Sequence, residues 1–220
     1  MKKARAIKLW QSPILEFLCC TCYNGRSRAG KSIKKVLFMG LDDTGKTTII
    51  KILKNKSIGN IFDTLPSRGL SIEKFELPHQ EFYIWDLAGT FKYRLRWINN
   101  INYFLSLNEL IYFIDIQDKS NYTNSISYLT KILHIINSKL SNSKYKLFIL
   151  LHKSDPEIIK SRDFGKNFDF LINNIHDLNI NYDYEILRTN IYTQSKDFSE
   201  LSQNVNPICF GTIIKRIFAS

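Results

Sequence analysis

The sequence has no apolar run long enough to cross a bilayer. The stretch 14–22 is apolar but short, and it contains Glu16, whereas a transmembrane helix needs about 20 apolar residues. No small-residue cleavage site follows it, so a signal peptide is not expected. Position 2 is Lys rather than Gly and the last residues are Phe-Ala-Ser, so the motifs for myristoylation and prenylation are missing as well. We therefore expect a chain that does not span a membrane.

Cysteine is too sparse and too unevenly spaced for a disulfide framework. Cys19, Cys20 and Cys22 crowd together, while Cys209 stands alone. No His lies at zinc-ligand spacing from the cluster, so a structural zinc site is not expected either. Reduced thiols and a cytoplasmic location are the expectation.

Charge is distributed unevenly along the chain. The formal net charge is +11, yet residues 1–35 carry nine Lys or Arg against one acid, Glu16. Such a cationic arm favours contact with anionic membranes or nucleic acid, or is simply a solvated tail. A chain of 220 residues suffices for one α/β domain with a short extension. We divide it into a basic N-terminal extension, 1–34, and one folded domain, 35–220.

Apolar patterns in the folded domain alternate between strands and helices. Continuous apolar runs such as 109–116 are typical of strands buried on both faces, and the turn at 78–80 makes its flanking strands antiparallel. This alternation predicts an α/β fold with a six-stranded, mostly parallel sheet, one antiparallel edge pair, and helices on both faces. The predicted strands are Val36–Met39, Leu70–Leu77, Glu81–Leu87, Glu109–Ile116, Tyr145–Leu151 and Tyr184–Arg188. The first predicted helix begins with Thr47–Leu53, and further helices are predicted near 92–106, 121–138, 163–177 and 198–217.

Two stretches match the phosphate-loop pattern G-x-x-x-x-G-K-[ST], residues 25–32 and 40–47. A phosphate loop needs a strand before it and a helix after it, because free N–H groups at the helix N-terminus bind the phosphates. The second match has Lys-Lys-Val-Leu-Phe-Met before it and Thr-Thr-Ile-Ile-Lys-Ile-Leu after it. Only a few residues separate the first match from the strand at Val36, so no helix fits there. We therefore assign the site to 40–47.

Within the assigned loop, Lys46 is expected to reach the β- and γ-phosphates and Thr47 to place its hydroxyl on Mg²⁺. Backbone amides of residues 43–48 are expected to surround the α- and β-phosphates. A glycine turn that only caps a helix would explain the glycines but not the adjacent Lys46 and Thr47. The nucleotide-binding candidates here are Gly40, Asp42, Asp43, Thr44, Gly45, Lys46, Thr47 and Thr48.

A second segment, Trp-Asp-Leu-Ala-Gly-Thr at 85–90, ends a predicted strand. Asp86 is placed to hold the Mg²⁺ water shell, and Gly89 can offer its N–H to a γ-phosphate because its backbone can approach closely. An ordinary strand end followed by a turn is the alternative.

A third segment, His-Lys-Ser-Asp at 152–155, follows a buried predicted strand. Asp155 can accept two hydrogens from the edge of guanine, and the stem of Lys153 can lie along the base. His152 opens this base-binding element. A polar loop without a ligand is the alternative.

The fourth segment, Arg-Thr-Asn-Ile at 188–191, follows the last predicted strand. The backbone N–H groups of Asn190 and Ile191 can donate to the guanine oxygen. All four segments lie at the carboxyl ends of strands, which is the edge where open α/β sheets bind ligands. Together they predict a guanine-nucleotide site.

From about residue 35 to 217 the chain resembles small GTPases of the Ras superfamily, nearest the Arf and Rag branches. Gly-Leu-Asp-Asp-Thr-Gly-Lys-Thr-Thr, 40–48, is similar to the Arf phosphate loop. Leu-Pro-Ser-Arg-Gly-Leu, 65–70, resembles the Arf first switch, with Ser67 at the position of its Thr. His-Lys-Ser-Asp and Arg-Thr-Asn-Ile-Tyr look more like Rag.

The resemblance implies strand order 2-3-1-4-5-6 and a GTP/GDP cycle with Mg²⁺, in which Ser67 binds the metal and senses the γ-phosphate. It also implies two switches, 57–70 and 88–100. Effector, exchange-factor and GTPase-activating proteins would bind through them.

Three positions depart from the family pattern. Thr90 stands where the family usually carries the Gln that positions the attacking water, so hydrolysis should be slow or depend on a partner, whose arginine can add roughly 10³–10⁵ in rate. Asp43 adds a negative charge that either faces solvent or weakens triphosphate binding. His152 replaces Asn and leaves guanine recognition to Asp155. The catalytic candidates are Lys46, Gly89 and Thr90.

The basic arm also carries large apolar side chains. Arf-type proteins use an N-terminal amphipathic helix as a membrane anchor, although Pro13 would interrupt a single long helix here. Palmitoylation of the cysteine cluster would suit peripheral attachment to an anionic membrane. A disordered or self-docked extension is the alternative. The residues concerned are Ile7, Trp10, Ile14, Leu15 and Leu18, with Cys19, Cys20 and Cys22.

The leading hypothesis is a guanine-nucleotide switch with slow or partner-dependent GTP hydrolysis, serving membrane trafficking or signalling. The alternative is a nucleotide-insensitive pseudo-GTPase that acts as an interaction module, because Thr90 and Asp43 depart from the family pattern. A third hypothesis is a small-molecule kinase that uses ATP, but segment 152–155 would have no evident role in such an enzyme. The arm would bind any polyanion, yet no nucleic-acid module is recognisable, so no specific nucleic acid is expected.

Overall fold

The computed structural model describes residues 31–54, 67–77, 80–140, 144–178, 180 and 183–191. The strands in these residues are β1 (Ser32–Gly40), β2 (Leu70–Leu77), β3 (Gln80–Leu87), β4 (Glu109–Asp115), β5 (Lys146–His152) and β6 (Tyr184–Arg188). The helices are α1 (Lys46–Leu53), α2 (Phe91–Ile98), α3 (Tyr122–Lys139), α4 (Pro156–Ile159) and α5 (Phe164–His176). None of these helices is both long and apolar enough to cross a membrane.

The six strands form a single sheet in the order β2-β3-β1-β4-β5-β6. Only β2 and β3 pair in the antiparallel sense, and the other neighbours are parallel. This confirms the predicted α/β fold, its strand order and its antiparallel edge pair. Because β1, β4 and β5 are parallel neighbours, the loops that follow them open on the same edge of the sheet.

The sheet is buried on both faces, as its continuous apolar strands predict. Along β1, Leu37 and Met39 point into a large cluster that includes side chains of α3 and α5. Val36 and Phe38 point into a smaller cluster with side chains of α1. This alternation follows from the two-residue period of a strand.

Several predicted boundaries were wrong. Strand β1 begins at Ser32, four residues before the predicted start. Ser32 is also the last residue of the first phosphate-loop match, so no helix follows that match. The single helix predicted over 92–106 is α2 followed by a separate 3₁₀ turn, Ile101–Tyr103. The break lies at Asn100, whose extended backbone leaves the helix and whose side chain accepts the Asn102 N–H at 3.0 Å.

Two further points concern helices: one observed helix was not predicted, and one predicted helix lies where the structure is not described. The short helix α4 was not predicted, because four residues leave too little periodicity to detect. The helix predicted over 198–217 lies outside the described residues.

A buried carboxyl group lies at the amino edge of the sheet, opposite the four motif loops. Glu109 opens β4 and is 1% exposed. Its Oε1 lies 3.4 Å from Lys34 Nζ, and no hydrogen bond from the described residues reaches its Oε2. Burial raises the pKa of Glu109 to about 7, against the opposing charges of Lys34 and Lys146.

This raised pKa makes the fold sensitive to pH. The native state holds a proton on Glu109 between its ordinary pKa of 4.5 and about 7, so stability should fall as pH rises through that window, by up to roughly 3 kcal/mol. Glu109→Gln should remove this dependence of stability on pH. The free energy of unfolding, measured in urea from pH 5 to 8, should then stay nearly constant. The exposed Glu185→Gln is the control, and an unchanged curve in Glu109→Gln would contradict the assignment.

Candidate functional site

The phosphate-loop candidate connects β1 to the N-terminus of α1. Gly40 and Gly45 both have positive φ, 148° and 86°, a conformation that favours glycine. A β-carbon on Gly40 would lie 2.4 Å from the Phe113 carbonyl oxygen on the neighbouring strand. The loop is therefore held close to β4. No side chain of the described residues caps the helix α1 that follows it, and uncapped N–H groups at a helix start are suited to binding phosphate.

Lys46 lies at the centre of this loop and is buried. Its Nζ donates to Leu41 O at 2.5 Å and to Thr44 Oγ1 at 3.2 Å. Burial lowers the pKa of Lys46 to about 8, although the charge of Asp86 and then those of Asp42 and Asp43 oppose the shift. An ammonium group held by neutral acceptors in a buried loop is well placed to bind an anion.

The other predicted residues of the phosphate loop differ in how far their side chains are exposed to solvent. Thr44 is buried and donates to Leu41 O at 3.0 Å, so its side chain supports the loop internally. Asp42 and Asp43 are exposed, and Asp43 has a φ of 55°. The extra charge of Asp43 therefore faces solvent. Thr48 lies in the first turn of α1 and is half-buried.

The three predicted metal ligands converge at the end of β3. Thr47 Oγ1 donates to Asp86 Oδ2 at 2.5 Å. Ser67 Oγ lies 2.5 Å from Thr47 Oγ1 and 3.2 Å from Asp86 Oδ2. Asp86 is buried, and its Oδ1 has no hydrogen-bond partner in the described part of the chain.

Two hydroxyls and a carboxylate are oxygen donors of the kind Mg²⁺ prefers. A buried carboxylate oxygen without a donor fits a site that takes a hydrated cation. No group of three or more His, Cys, Asp or Glu in the described residues is arranged as a metal site. A cation here would therefore need further oxygen ligands, such as water or phosphate.

Gly89 lies directly against the phosphate-loop backbone. A β-carbon on Gly89 would lie 2.2 Å from the carbonyl of Leu41 and 2.3 Å from the nitrogen of Asp42, so only glycine fits. Thr90 follows as the N-cap residue, directly before α2, and its side chain makes no capping hydrogen bond. The two predicted switch segments are also linked, since Ala88 N donates to Gly69 O at 3.0 Å. Residues 57–66 of the first switch lie outside the described residues.

The third and fourth motifs form a second loop pair at the same edge. Ser154 N donates to Thr189 O at 3.0 Å, and Asn190 Nδ2 donates to Ser154 O at 3.2 Å. Asp155 is half-buried, and burial raises the pKa of its carboxyl group above the ordinary value. Ile191 packs against the smaller core cluster.

The structure places His152 behind the phosphate loop. A β-carbon on Gly45 would lie 2.6 Å from His152 Cδ2, and His152 Nδ1 lies 2.7 Å from Thr189 Oγ1. Burial lowers the pKa of His152 to about 3, so the ring is neutral. Sequence reasoning grouped His152 with the base-binding element, whereas its contacts make it a support that joins this element to Gly45.

Sequence reasoning missed Asp115 and Gln117. Asp115 Oδ2 lies 2.6 Å from Lys153 Nζ, and the Gln117 side chain donates to Asp155 Oδ2 at 2.9 Å. The available signal was the pair of polar residues at the carboxyl end of the buried strand β4, the edge where ligands bind.

Three features lie along one edge of the sheet: a phosphate loop after β1, the hydroxyl and carboxylate cluster of Thr47, Ser67 and Asp86 beside it, and the Asp155 loop farther along. Together they define a P-loop nucleotide-binding protein of the small G-protein class. Within that class, the model of the ADP-ribosylation factor (Arf) family matches residues 24–201. The chain belongs to the ADP-ribosylation factor family, and it is a GTP-binding small GTPase of the Ras superfamily.

Solved structures show the same fold. One is the Arl6 BBS3 small GTPase from Trypanosoma brucei with a bound nucleotide analogue, GppNp, at 22% identity and a TM-score of 0.57. The similarity covers 72% of this chain and 87% of that one. A second is the mammalian SRP receptor, at 17% identity and a TM-score of 0.54, covering 71% of this chain and 91% of that one.

Proposed function

We propose that the chain is a molecular switch that alternates between GTP-bound and GDP-bound forms and hydrolyses GTP slowly on its own. The convergence of Thr47, Ser67 and Asp86 beside the buried Lys46 carries this proposal. These side chains come from three separate segments of the chain, and each is of the type that a Mg²⁺-triphosphate site requires.

In this proposal, binding of the nucleotide replaces contacts within the phosphate loop by contacts to the phosphates. Lys46 leaves the carbonyl of Leu41 for β- and γ-phosphate oxygens, and the backbone amides of 43–48 surround the α- and β-phosphates. When bound, Mg²⁺ would neutralise charge on the β- and γ-phosphates, with Thr47 and Ser67 as ligands and Asp86 holding its water shell. Gly89 offers its N–H to the γ-phosphate.

Switching follows from the contacts between the two segments that sense the γ-phosphate. Ser67 contacts Thr47 and Asp86, and Gly69, two residues farther along, accepts the Ala88 N–H. Loss of the γ-phosphate would remove the bonds to Ser67 and Gly89 together, so both segments would be released. A ligand can shift a conformational equilibrium only through such differential contacts.

Base recognition would fall to the loop pair farther along the sheet edge. Asp155 accepts hydrogen bonds from the two N–H groups of the guanine edge, and the Lys153 stem covers the base. The backbone N–H groups of Asn190 and Ile191 donate to the guanine oxygen. His152 supports Gly45 from behind. A carboxylate that needs two adjacent donors favours guanine over adenine.

Slow hydrolysis follows from Thr90, the N-cap residue of α2 directly after Gly89. Its side chain is too short to orient a water as a Gln would. Thr90→Gln should raise the single-turnover hydrolysis rate of the GTP-loaded protein by roughly 10- to 100-fold. Thr90→Val keeps the size of the side chain and should leave the rate unchanged. An equal rate in Thr90→Gln, with GTP binding intact, would show that this position does not limit hydrolysis.

Partner proteins would bind at the switches. Phe91 and Leu95 lie one turn apart on α2 and are 67% and 41% exposed, with Lys92 and Arg96 exposed beside them. An apolar strip between cations suits the docking of effectors, exchange factors and GTPase-activating proteins, one of which would supply the missing catalytic group.

A role in membrane trafficking or signalling, from the cytoplasmic side of a membrane, is part of the same proposal. Its support is the basic extension 1–34 with its large apolar side chains and the cysteine cluster Cys19, Cys20 and Cys22. These residues lie outside the described part of the structure.

The experiment that tests the switch is the identification of the nucleotide carried by the purified chain. Denaturation followed by ion-exchange chromatography should release GDP or GTP at close to one per chain, and an excess of GTP would support slow hydrolysis. Mg²⁺-GTP should then bind to the emptied protein and protect it from thermal unfolding. Failure of both measurements would overturn the switch and favour the nucleotide-insensitive interaction module.

A further inference from the structure

The carboxylate proposed to read guanine is held by a side chain from a different loop. Gln117 Nε2 donates one hydrogen to Asp155 Oδ2 at 2.9 Å and the other to Lys153 O at 2.8 Å. Both donors of the amide are therefore used. The amide joins the carboxylate to the backbone two residues before it.

Gln117 is itself fixed by the end of β4. Its backbone N–H donates to Asp115 Oδ1 at 2.9 Å, and Asp115 Oδ2 pairs with Lys153 Nζ at 2.6 Å. Strand register explains the proximity, since Asp115 of β4 lies opposite His152 of β5. Gln117, just after the end of β4, therefore lies beside Lys153 and Asp155, just after the end of β5.

The loop that Gln117 holds is not in a relaxed conformation. Lys153 has a φ of 59°, in the left-handed region, which is unfavourable for a residue with a side chain. The Asp115 ion pair and the Gln117 bond are the contacts that offset this cost. Burial also raises the pKa of Asp155, and the Gln117 bond opposes that shift, which favours the ionised carboxylate.

We propose that Gln117 is a positioning residue for base specificity, which orients Asp155 so that its carboxylate meets two adjacent N–H donors of a purine. The proposal rests on the proposed guanine-nucleotide function. Gln117 holds one oxygen of Asp155 through a hydrogen bond, and a carboxylate oxygen can still accept a second hydrogen. The contact predicts an effect on the choice of base and none on the contacts to phosphate.

The test compares GDP with inosine diphosphate, which keeps the N1–H donor of guanine but lacks the 2-amino group. Dissociation constants for both are measured on the full chain with Mg²⁺. Gln117→Leu should weaken GDP binding by about 10- to 100-fold and reduce the GDP-to-inosine-diphosphate preference. Gln117→Glu should weaken GDP further, since it places a carboxylate against Asp155. The exposed position of Gln117 favours normal folding, checked by thermal unfolding.

Gln80→Leu is the matched control, because Gln80 begins β3 at the opposite edge of the sheet. It should leave both affinities unchanged. If Gln117→Leu and Gln117→Glu fold and keep the GDP-to-inosine-diphosphate preference of the unmodified chain within twofold, the positioning role is overturned. If the unmodified chain binds neither diphosphate, the proposed nucleotide function fails instead, so the two failures are distinguishable.

Discussion

Lys46→Ala is expected to weaken GTP binding by at least about 100-fold, because truncating one partner of a buried, hydrogen-bonded charge pair costs about 2–5 kcal/mol. The ammonium group is buried within the phosphate loop, where solvent cannot replace it. The unliganded variant should remain folded, since burial already disfavours this charge and lowers its pKa to about 8. Isothermal titration with Mg²⁺-GTP measures the loss.

The matched control for this prediction is Lys51→Ala, in the last turn of the same helix α1. It should leave GTP affinity within about twofold, since surface charge pairs contribute little. Equal affinities in Lys46→Ala and the unmodified chain would contradict the assignment of the phosphate loop.

The pKa of Lys46 also gives the affinity a pH dependence. Bound phosphates favour the charged ammonium, so the pKa rises on binding and, above pH 8, binding takes up a proton. GTP affinity should therefore fall by up to about tenfold per pH unit above 8. Lys46→Ala should lose this dependence. Subtracting its profile from that of the unmodified chain removes any titration of the nucleotide itself.

Asp155→Ala is expected to remove the preference for guanine. Two hydrogen bonds to a charged group contribute about 1.5–3 kcal/mol each, so GDP affinity should fall roughly 10²- to 10⁴-fold. Affinity for ADP should change little, since the contacts to phosphate are unaffected. Competition between GDP and ADP on one protein preparation measures the preference directly.

Glu157→Ala provides the control, because it removes an exposed carboxylate two residues farther along the chain. Guanine selectivity should persist in that variant. Selectivity that also persisted in Asp155→Ala would show that the base is read elsewhere, and the ATP-dependent alternative would then have to be examined.

Much of the fold was predictable because its signals are local. Strand β1 and helix α1 flank residues 40–47 in sequence, so the choice between the two phosphate-loop matches needed no tertiary contact. The buried strands β4 and β5 are continuous apolar runs, which is the pattern of parallel strands covered on both faces. Thr47 and Asp86 were found because each belongs to a motif of known chemistry near the end of a strand.

The apolar pattern alone was insufficient where a side-chain hydrogen bond ends a helix or where the sheet buries a charged residue. The apolar periodicity through 92–106 continues past α2, yet the backbone turns at Asn100, where the side-chain bond to Asn102 N–H competes with the helix. Glu109 looks like the polar start of a strand, but the sheet and its neighbours bury it completely.

The sequence by itself determined the α/β fold, the position of the phosphate loop and the residue types at the ends of the strands, since periodicity and motif spacing act over a few residues. Only the tertiary structure decided which of those side chains meet. His152 lies behind Gly45, and Gln117 reaches Asp155, 38 residues away. These contacts depend on how β4 and β5 align, and that alignment follows from packing across the whole sheet.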